Sequence, residues 1–463
     1  MWLLKSSNIR PMSRLLLTFY GDDFTGSTDA LEQLALAGIR TALFIQPPTP
    51  AQLKKLPGLQ ALGVAGKTRS LSPKAMEREL KPALLALKKL GARHVHYKVC
   101  STFDSSPKIG SIGRVIEVAA KVFPAPFIPL LVAAPALGRY TIFGQHFARY
   151  GIGSAGEIHR LDRHPSISRH PVTPMREADL REHLAKQTSK RIALFDVLKV
   201  SLPMREARAA LKRILADKPD VVLFDALTPE HLATIGSLLE THAKAKPPLF
   251  SVGSSGIEAA LAGCRTGVAP VSNFPDKKWR PARRLSYGKI LVGSGSCSPV
   301  TSGQIAWALK HGFVEVALAP DKLVNRSTAE DEISRAADEA VKLLRSGRSV
   351  IVHTTRRGSN KQIAAKLKGR TAEVLGMALG KVMRLAVEQS AVQRICVAGG
   401  DTSSYAARAL GIESLEMIAP LTPGAPLCRA QAPGSPLDGR EVVFKGGQVG
   451  PENYFEIVKR GKT

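Results

Sequence analysis

Short apolar runs alternate along the chain with longer stretches of helical periodicity, a pattern that predicts parallel strands flanked by helices. In the first half the runs are Leu15–Tyr20, Thr41–Ile45, Ala61–Ala65, His94–Val99, Leu130–Ala133, Arg191–Phe195, Val221–Phe224 and Leu249–Val252. Between them lie helical stretches such as Pro73–Leu90, opened by Ser72 as a cap with proline at the first helical position. This block ends near Ala262. From Thr266 to Gly288 the chain is basic, proline-rich and without period, which predicts an interdomain linker. A second block supplies the runs Ile290–Val292, Val314–Leu318, Ser349–His353, Arg394–Ala398 and Val442–Phe444. The expected fold class is α/β with two domains, each a mostly parallel sheet flanked by helices, and a ligand cleft between them. The expected boundaries are 12–265 for the first domain, 266–288 for the linker and 289–463 for the second.

Composition narrows the function classes. Hydrophobic residues make up 44% of 463 and mean hydropathy is −0.02, as in a soluble globular protein. No run of about 18 uncharged apolar residues offers a membrane span. The opening residues lack a signal-peptide h-region and cleavage site, LLLTFYGDD reads as a buried strand, and Met12 is an alternative start; a cytoplasmic enzyme is expected. The five cysteines, Cys100, Cys264, Cys297, Cys396 and Cys428, never form a C-x-x-C pair, which argues against a disulfide framework and a structural zinc. A formal charge of +28 is compatible with nucleic acid or with acidic small substrates steered by a positive field. Because the basic residues are spread out and aromatics reach only 5%, no nucleic-acid partner is expected.

Candidate chemistry gathers at strand ends. In the second block LVGSGSCSPVTSGQ, CVAGGDTSSY and VVFKGGQVG each run from a strand into glycines and hydroxyls, and the first two continue into a helix. Glycine lets a phosphate approach the backbone, and a helix N-terminus supplies oriented N–H groups. Three such turns in one domain point to an anionic nucleotide tail. Two look-alikes are weaker. Gly66-Lys67-Thr68 ends like a P-loop but lacks the upstream glycine, Ala61 standing there; GSGSCS imitates a dinucleotide fingerprint, but its acidic partner Glu315 falls in mid-strand.

In the first block the strand ends are charged: Asp22 and Asp23 side by side, then GKTRS, KVCSTFDSS and AAPALGRYTIFGQ. Arg69, Lys98, Ser101 and Arg139 would suit a small hydroxy-carboxylate, since arginine grips a carboxylate with two bonds and lysine adds a compact charge. One aspartate is expected to face the ligand and the other to cap the following turn or meet a cation; capping by both is the plain alternative. HRLDRHPSISRHP holds three histidines at spacings that match no zinc pattern, so no metal site is expected there. No G-x-S-x-G elbow is present, and a Cys100–histidine pair with His94 or His96 depends on spatial geometry.

Together GDDFTGSTD, KVCSTFDSS, APALGRYTIFGQ, HPVTPMREADLREHLAKQT, SVGSSGIEAALAG, GSGSCSPVTSGQI, AGGDTSSYAARALGI and FKGGQVG resemble, in order, the signatures of the four-carbon acid sugar kinases. The departures are Cys100 where that family has an acid, Asp104 where it has an arginine, GKTRS for TDSR, and Asp401 in GGDT for GGET. The resemblance implies a first domain that binds a tetronate-like acid (threonate, erythronate or 3-oxo-tetronate, phosphorylated at the 4-hydroxyl) and a second that binds ATP. It implies nucleotide contacts at Ser296, Ser298, Gly399, Gly400, Asp401, Thr402 and Gly447. Arg69 and Arg139 become carboxylate clamps, Lys98 and Ser101 polar contacts, and Asp22 and Asp23 catalytic, with Asp401 holding Mg²⁺ through water. A homodimer is open to it. The rival readings are an NAD-dependent hydroxy-acid dehydrogenase and a basic nucleic-acid-binding protein.

Overall fold

The computed structural model describes residues 15–150, 156–170, 172–244, 246–266, 288–296, 298–354, 367 and 370–461, the side chains of 265, 266, 326 and 401 excepted. Nearly all of the expected linker, together with Met12 and Cys297, lies outside them. The first half contributes strands β1 (Leu17–Gly21), β2 (Thr41–Phe44), β3 (Ala61–Ala65), β4 (His94–Lys98), β5 (Ile128–Leu131), β6 (Arg139–Ile142), β7 (Gln145–Arg149), β8 (Ile158–Arg160), β9 (Ile192–Phe195), β10 (Val221–Phe224) and β11 (Leu249–Gly253). The second contributes β12 (Leu291–Ser294), β13 (Phe313–Ala317), β14 (Ser349–His353), β15 (Arg394–Ala398), β16 (Ser414–Thr422), β17 (Ala425–Gln431) and β18 (Glu441–Lys445).

The α/β expectation holds: β2-β3-β1-β4-β11-β5-β10-β9 are parallel neighbours, and so are β13-β14-β12-β15-β18. Apart from the edge strands β9 and β13, these strands are buried on both faces, so they read as continuous apolar runs. The sequence pattern did not reveal the joint between the halves. Strands β17 and β16 add to β18 in antiparallel fashion, and β16 pairs antiparallel with β2 through Ser414–Phe44 and Leu415–Leu43. Among the described residues fifteen strands thus form one sheet. The two halves run in opposite senses across it, and β16 carries register shifts beyond Met417, irregularities of the kind that raise local twist. A separate small sheet, β6-β7-β8, covers the first half. No helix of the described residues is long and apolar enough to cross a membrane.

The helix Phe24–Leu36 belongs to both cores. Its Phe24, Leu31 and Leu34 share one buried apolar cluster with Leu415, Cys428 and Phe444 of the second half. Phe24 and Phe444 lie 4.4 Å apart between ring centroids. On the same helix, Glu32 accepts a hydrogen bond from the Gly424 N–H at the β16–β17 tip. Truncating Phe24 should therefore loosen both halves together. Phe24→Ala is expected to cost about 3–5 kcal/mol. Urea unfolding followed by circular dichroism and by tryptophan fluorescence should show both signals shifted to lower urea; a shift confined to one signal would show that the contact does not couple the halves.

Candidate active site

The β-sheet register sets Gly21, Ala65, Lys98 and Gly253 in one row at the strand ends, so the residues after each of them project into one region. Strand β1 ends at Gly21, and the chain turns at once into a helix. Asp23 is that helix's N-cap, extended at φ −141° and ψ 171°. Its Oδ1 accepts from the Gly26 N–H at 2.7 Å, while Oδ2 accepts from Thr25 Oγ1 and from Arg69 Nη1, each at 2.8 Å. Asp22 takes the other edge of the same guanidinium, from Nη2 at 2.8 Å and Nε at 3.1 Å. Strand alternation would have parted the two aspartates, but Asp23 lies beyond the strand, and both converge on Arg69.

Burial pushes the Asp22 carboxyl above its ordinary value, and Arg69 pulls the other way. Burial also disfavours the charge on Arg69, yet Asp22 and Asp23 hold it protonated. One guanidinium therefore stabilises two neighbouring carboxylates that would otherwise repel. Expected as a clamp for the ligand, Arg69 spends three of its five N–H donors inside the protein and keeps one on each terminal nitrogen.

Lys98 follows in the same row. Its buried ammonium lies 3.2 Å from Asp29 Oδ2 and donates to the Val99 carbonyl at 3.1 Å. A Cβ added to Gly26 would clash with Asp23 Oδ1 at 2.6 Å and lie 3.3 Å from Lys98 Nζ and 3.6 Å from Arg69 Nη2, so the bare backbone lies among one carboxylate and two cations. Ser101 is buried close by, and its carbonyl accepts from His146 Nε2 at 2.9 Å. Arg139 lies within electrostatic reach of Asp29 and Cys100. Its Nη1 donates to the carbonyls of Leu137, Gly138 and Arg149, and among the described residues its buried Nε has no partner. The Cys100 thiol is pushed up to about 12 by burial and contacts Thr102 Oγ1 at 2.9 Å. His94 pairs with Glu240 and His96 with Ser251, so neither activates Cys100.

The second half meets this region with main chain. Gly399, at φ +127°, ends β15 and starts the helix Gly400–Ala409. A Cβ on Gly400 would sit 3.4 Å from Asp23 Oδ2 and 3.6 Å from Thr25 Oγ1. On Gly447 it would sit 2.9 Å from Ser296 Oγ and 3.0 Å from Ser298 Cβ, and on Gly295 2.4 Å from Thr402 Oγ1. Ser296, Ser298, Gly399, Gly400, Thr402 and Gly447 thus lie together, and this group meets Asp23 at Gly400. The backbone of Asp401 is there as well, its side chain lying outside the described atoms. N–H groups at a helix N-terminus, glycines without side chains and hydroxyls at the rim are features that can hold phosphate oxygens. The dehydrogenase reading loses its marker, since Glu315 stays in mid-strand and pairs with His353 at 3.2 Å.

Three residues escaped the sequence reading although each stood in a quoted motif: Asp29, Glu258 and Lys445. Asp29 recurs two helical turns after Asp22 and Glu258 opens the helix Gly256–Thr266, which are the signals that could have found them. Lys445 is buried at the end of β18, pushed down to about 8 by burial. It donates to Thr301 Oγ1 at 3.0 Å, and Thr301 donates to the Gly447 carbonyl at 3.0 Å, which braces the glycine turn from behind.

Two family models match the chain, one in each half. A model of a sugar-binding N-terminal domain matches residues 17–261, and a model of a nucleotide-binding C-terminal domain matches residues 291–455. The chain is 41% identical to a 3-oxo-isoapionate kinase of Paraburkholderia graminis, across 97% of this chain and 95% of the relative. It is 30% identical to a 3-oxo-tetronate kinase of Cupriavidus necator, across 96% and 97%. Among solved structures, a Salmonella typhimurium protein described as a putative tRNA synthase superposes with a TM-score of 0.73 at 25% identity, covering 96% of this chain and 99% of that one.

The Arg69 fork carries its own test. Arg69→Met strands two carboxylates and should destabilise the fold by about 3–5 kcal/mol in urea unfolding. Adding Asp22→Asn should restore part of that loss. No recovery in the double variant would contradict the charge account.

Proposed function

The chain belongs to the four-carbon acid sugar kinase family, and from that premise we propose that it transfers the γ-phosphoryl group of ATP to a hydroxyl of a small 3-oxo sugar acid. For a four-carbon acid the acceptor would be the 4-hydroxyl. The greater identity to the 3-oxo-isoapionate kinase than to the 3-oxo-tetronate kinases favours the former acid, with 3-oxo-tetronate as the second candidate. One observation carries the reading: the bare backbone at Gly400 lies against Asp23, so the phosphate cradle of one half abuts the carboxylate pair of the other.

Phosphoryl transfer asks the protein for alignment, charge neutralisation and exclusion of water. The glycine turns at 399–400 and 447, with Ser296 and Ser298, hold the triphosphate. Arg139, Lys98 and the two spare donors of Arg69 draw the substrate carboxylate and, with Ser101, fix the polyol chain. Asp23 orients the acceptor hydroxyl and takes its proton as the new P–O bond forms, while Asp22 keeps Arg69 in place. Mg²⁺, an ion that keeps most of its waters and takes few protein carboxylates, would accompany the triphosphate. Held by phosphate oxygens, water and Asp401, it would neutralise charge on the transferring group. The same reading puts the reaction in the cytoplasm.

An ADP-release assay with ATP–Mg²⁺ and 3-oxo-isoapionate, 3-oxo-tetronate, threonate and erythronate tests this, and inactivity on all four would overturn it. Asp23→Asn should lower kcat by about 10²–10⁴-fold with ATP affinity nearly unchanged. Gly400→Val should weaken ATP binding in a calorimetric titration, because its side chain fills the phosphate cradle; wild-type affinity would rule out that surface.

A further inference from the structure

Behind Lys98 lies a carboxyl that the proposed chemistry leaves unused. Glu258 is wholly buried at the start of the helix Gly256–Thr266, and among the described residues neither of its Oε atoms has a hydrogen-bond partner. Lys98 and His96 face it from β4, and Asp29 from the helix Phe24–Leu36. Lys98 in turn faces Asp29, Asp22 and Cys100.

His96 indicates which protonation state this arrangement suits. Its Nδ1 is 3.2 Å from the Ser251 carbonyl and 3.0 Å from the Ser251 hydroxyl. A carbonyl can only accept, so Nδ1 carries the proton and Nε2 presents its lone pair. That Nε2 lies 3.7 Å from Glu258 Oε1. An ionised Glu258 would set negative oxygen against a lone pair, with the Asp29 carboxylate also near. A neutral carboxyl turns its O–H toward the ring. Burial acts in the same direction, pushing Glu258 up to about 8 and His96 down to about 3.

The consequence falls on Lys98. With Glu258 neutral, the ammonium has one carboxylate in contact, and its remaining field acts on any anion that enters. With Glu258 ionised, a second buried carboxylate acts electrostatically on that ammonium beside Asp29, and the two repel a third.

Building on the acid-sugar reading of the first half, we propose that Glu258 is a positioning residue for the acid substrate: its neutral form leaves Lys98 free to draw the substrate carboxylate, and its ionised form competes with the substrate for Lys98. Affinity for the acid then falls as pH rises through the titration of Glu258. Glu32, at the β16–β17 tip, and Lys445, behind the nucleotide turn, are also shifted to about 8, so the test must separate them.

The measurement is KM for the acid and for ATP from about pH 6.5 to about pH 9.5, in the wild type and in E258Q. One titrating proton gives a rise in acid KM of up to about tenfold per pH unit above the transition. The wild type should show this rise and E258Q should lose it, with the pH dependence of ATP KM the same in both. An equal rise in acid KM in both proteins overturns the proposal. A second readout does not need the variant to fold. Calorimetric titration of the wild type with the acid, in buffers of different ionisation enthalpy, should record uptake of part of a proton near pH 8 and none near pH 6.5. Absence of uptake near pH 8 overturns the proposal equally. If no acid supports ADP release, the reading of the first half fails and this proposal fails with it; if the enzyme turns over with an acid KM that ignores pH, only the role of Glu258 is lost.

Discussion

The site depends on one guanidinium holding two adjacent carboxylates. Asp22 and Asp23 are both buried, and without a partner two charges at consecutive residues would be forced to neutralise or to move apart. Arg69 removes that conflict by giving one edge to Asp22 and the remaining terminal nitrogen to Asp23. Asp23 is thereby held as the cap that starts the helix Phe24–Leu36. The direction of that helix in turn sets Phe24 against Phe444 and Glu32 against the β16–β17 tip. A local electrostatic constraint thus reaches the joint between the halves, because the helix it starts is shared by both cores.

The two halves contribute different chemistry to the region they share. The first presents side chains: Arg69, Lys98, Arg139 and the carboxylates that balance them. The second presents main chain, cleared of Cβ atoms at Gly399, Gly400 and Gly447 and braced by Lys445 through Thr301. This division suits the proposed reaction. A triphosphate is well recognised by N–H groups that look alike, whereas a sugar acid needs specific charges and hydroxyl partners. The buried set of Asp29, Lys98, Glu258 and His96 extends the first half's contribution inward, where a proton more or less changes the field at Lys98.

Much of this was legible in the chain. Strands buried on both faces announce themselves as unbroken apolar runs, and the glycine turns stood out because each follows such a run directly. The joint was hidden for physical reasons. Strands β16 and β17 carry Pro420 and Pro426, and β16 is bulged, so neither reads as a regular strand although together they weld the two sheets. The partnership of Arg69 with Asp22 and Asp23 spans more than forty residues and arises only from strand order; sequence showed a cation suited to a ligand, and the fold commits most of it to the protein. The sequence offered Arg139 as a carboxylate clamp, but its bonds to three carbonyls depend on the fold. Glu258 was overlooked because an acid early in a helix reads as ordinary charge placement, and only the sheet brings Lys98 and His96 beneath it.

The central claim is that the acid and the triphosphate meet where Asp23 faces Gly400. A crystal structure with a non-hydrolysable ATP analogue and the acid tests it most directly. The account predicts phosphates on the main chain of 399–400 and 447, with the terminal phosphate between Gly400 and Asp23 and the acid's carboxylate toward Lys98. Phosphates lodged away from those turns, for example in the separate cleft of about 340 Å³ between Lys67, Arg78 and Arg408, would contradict it.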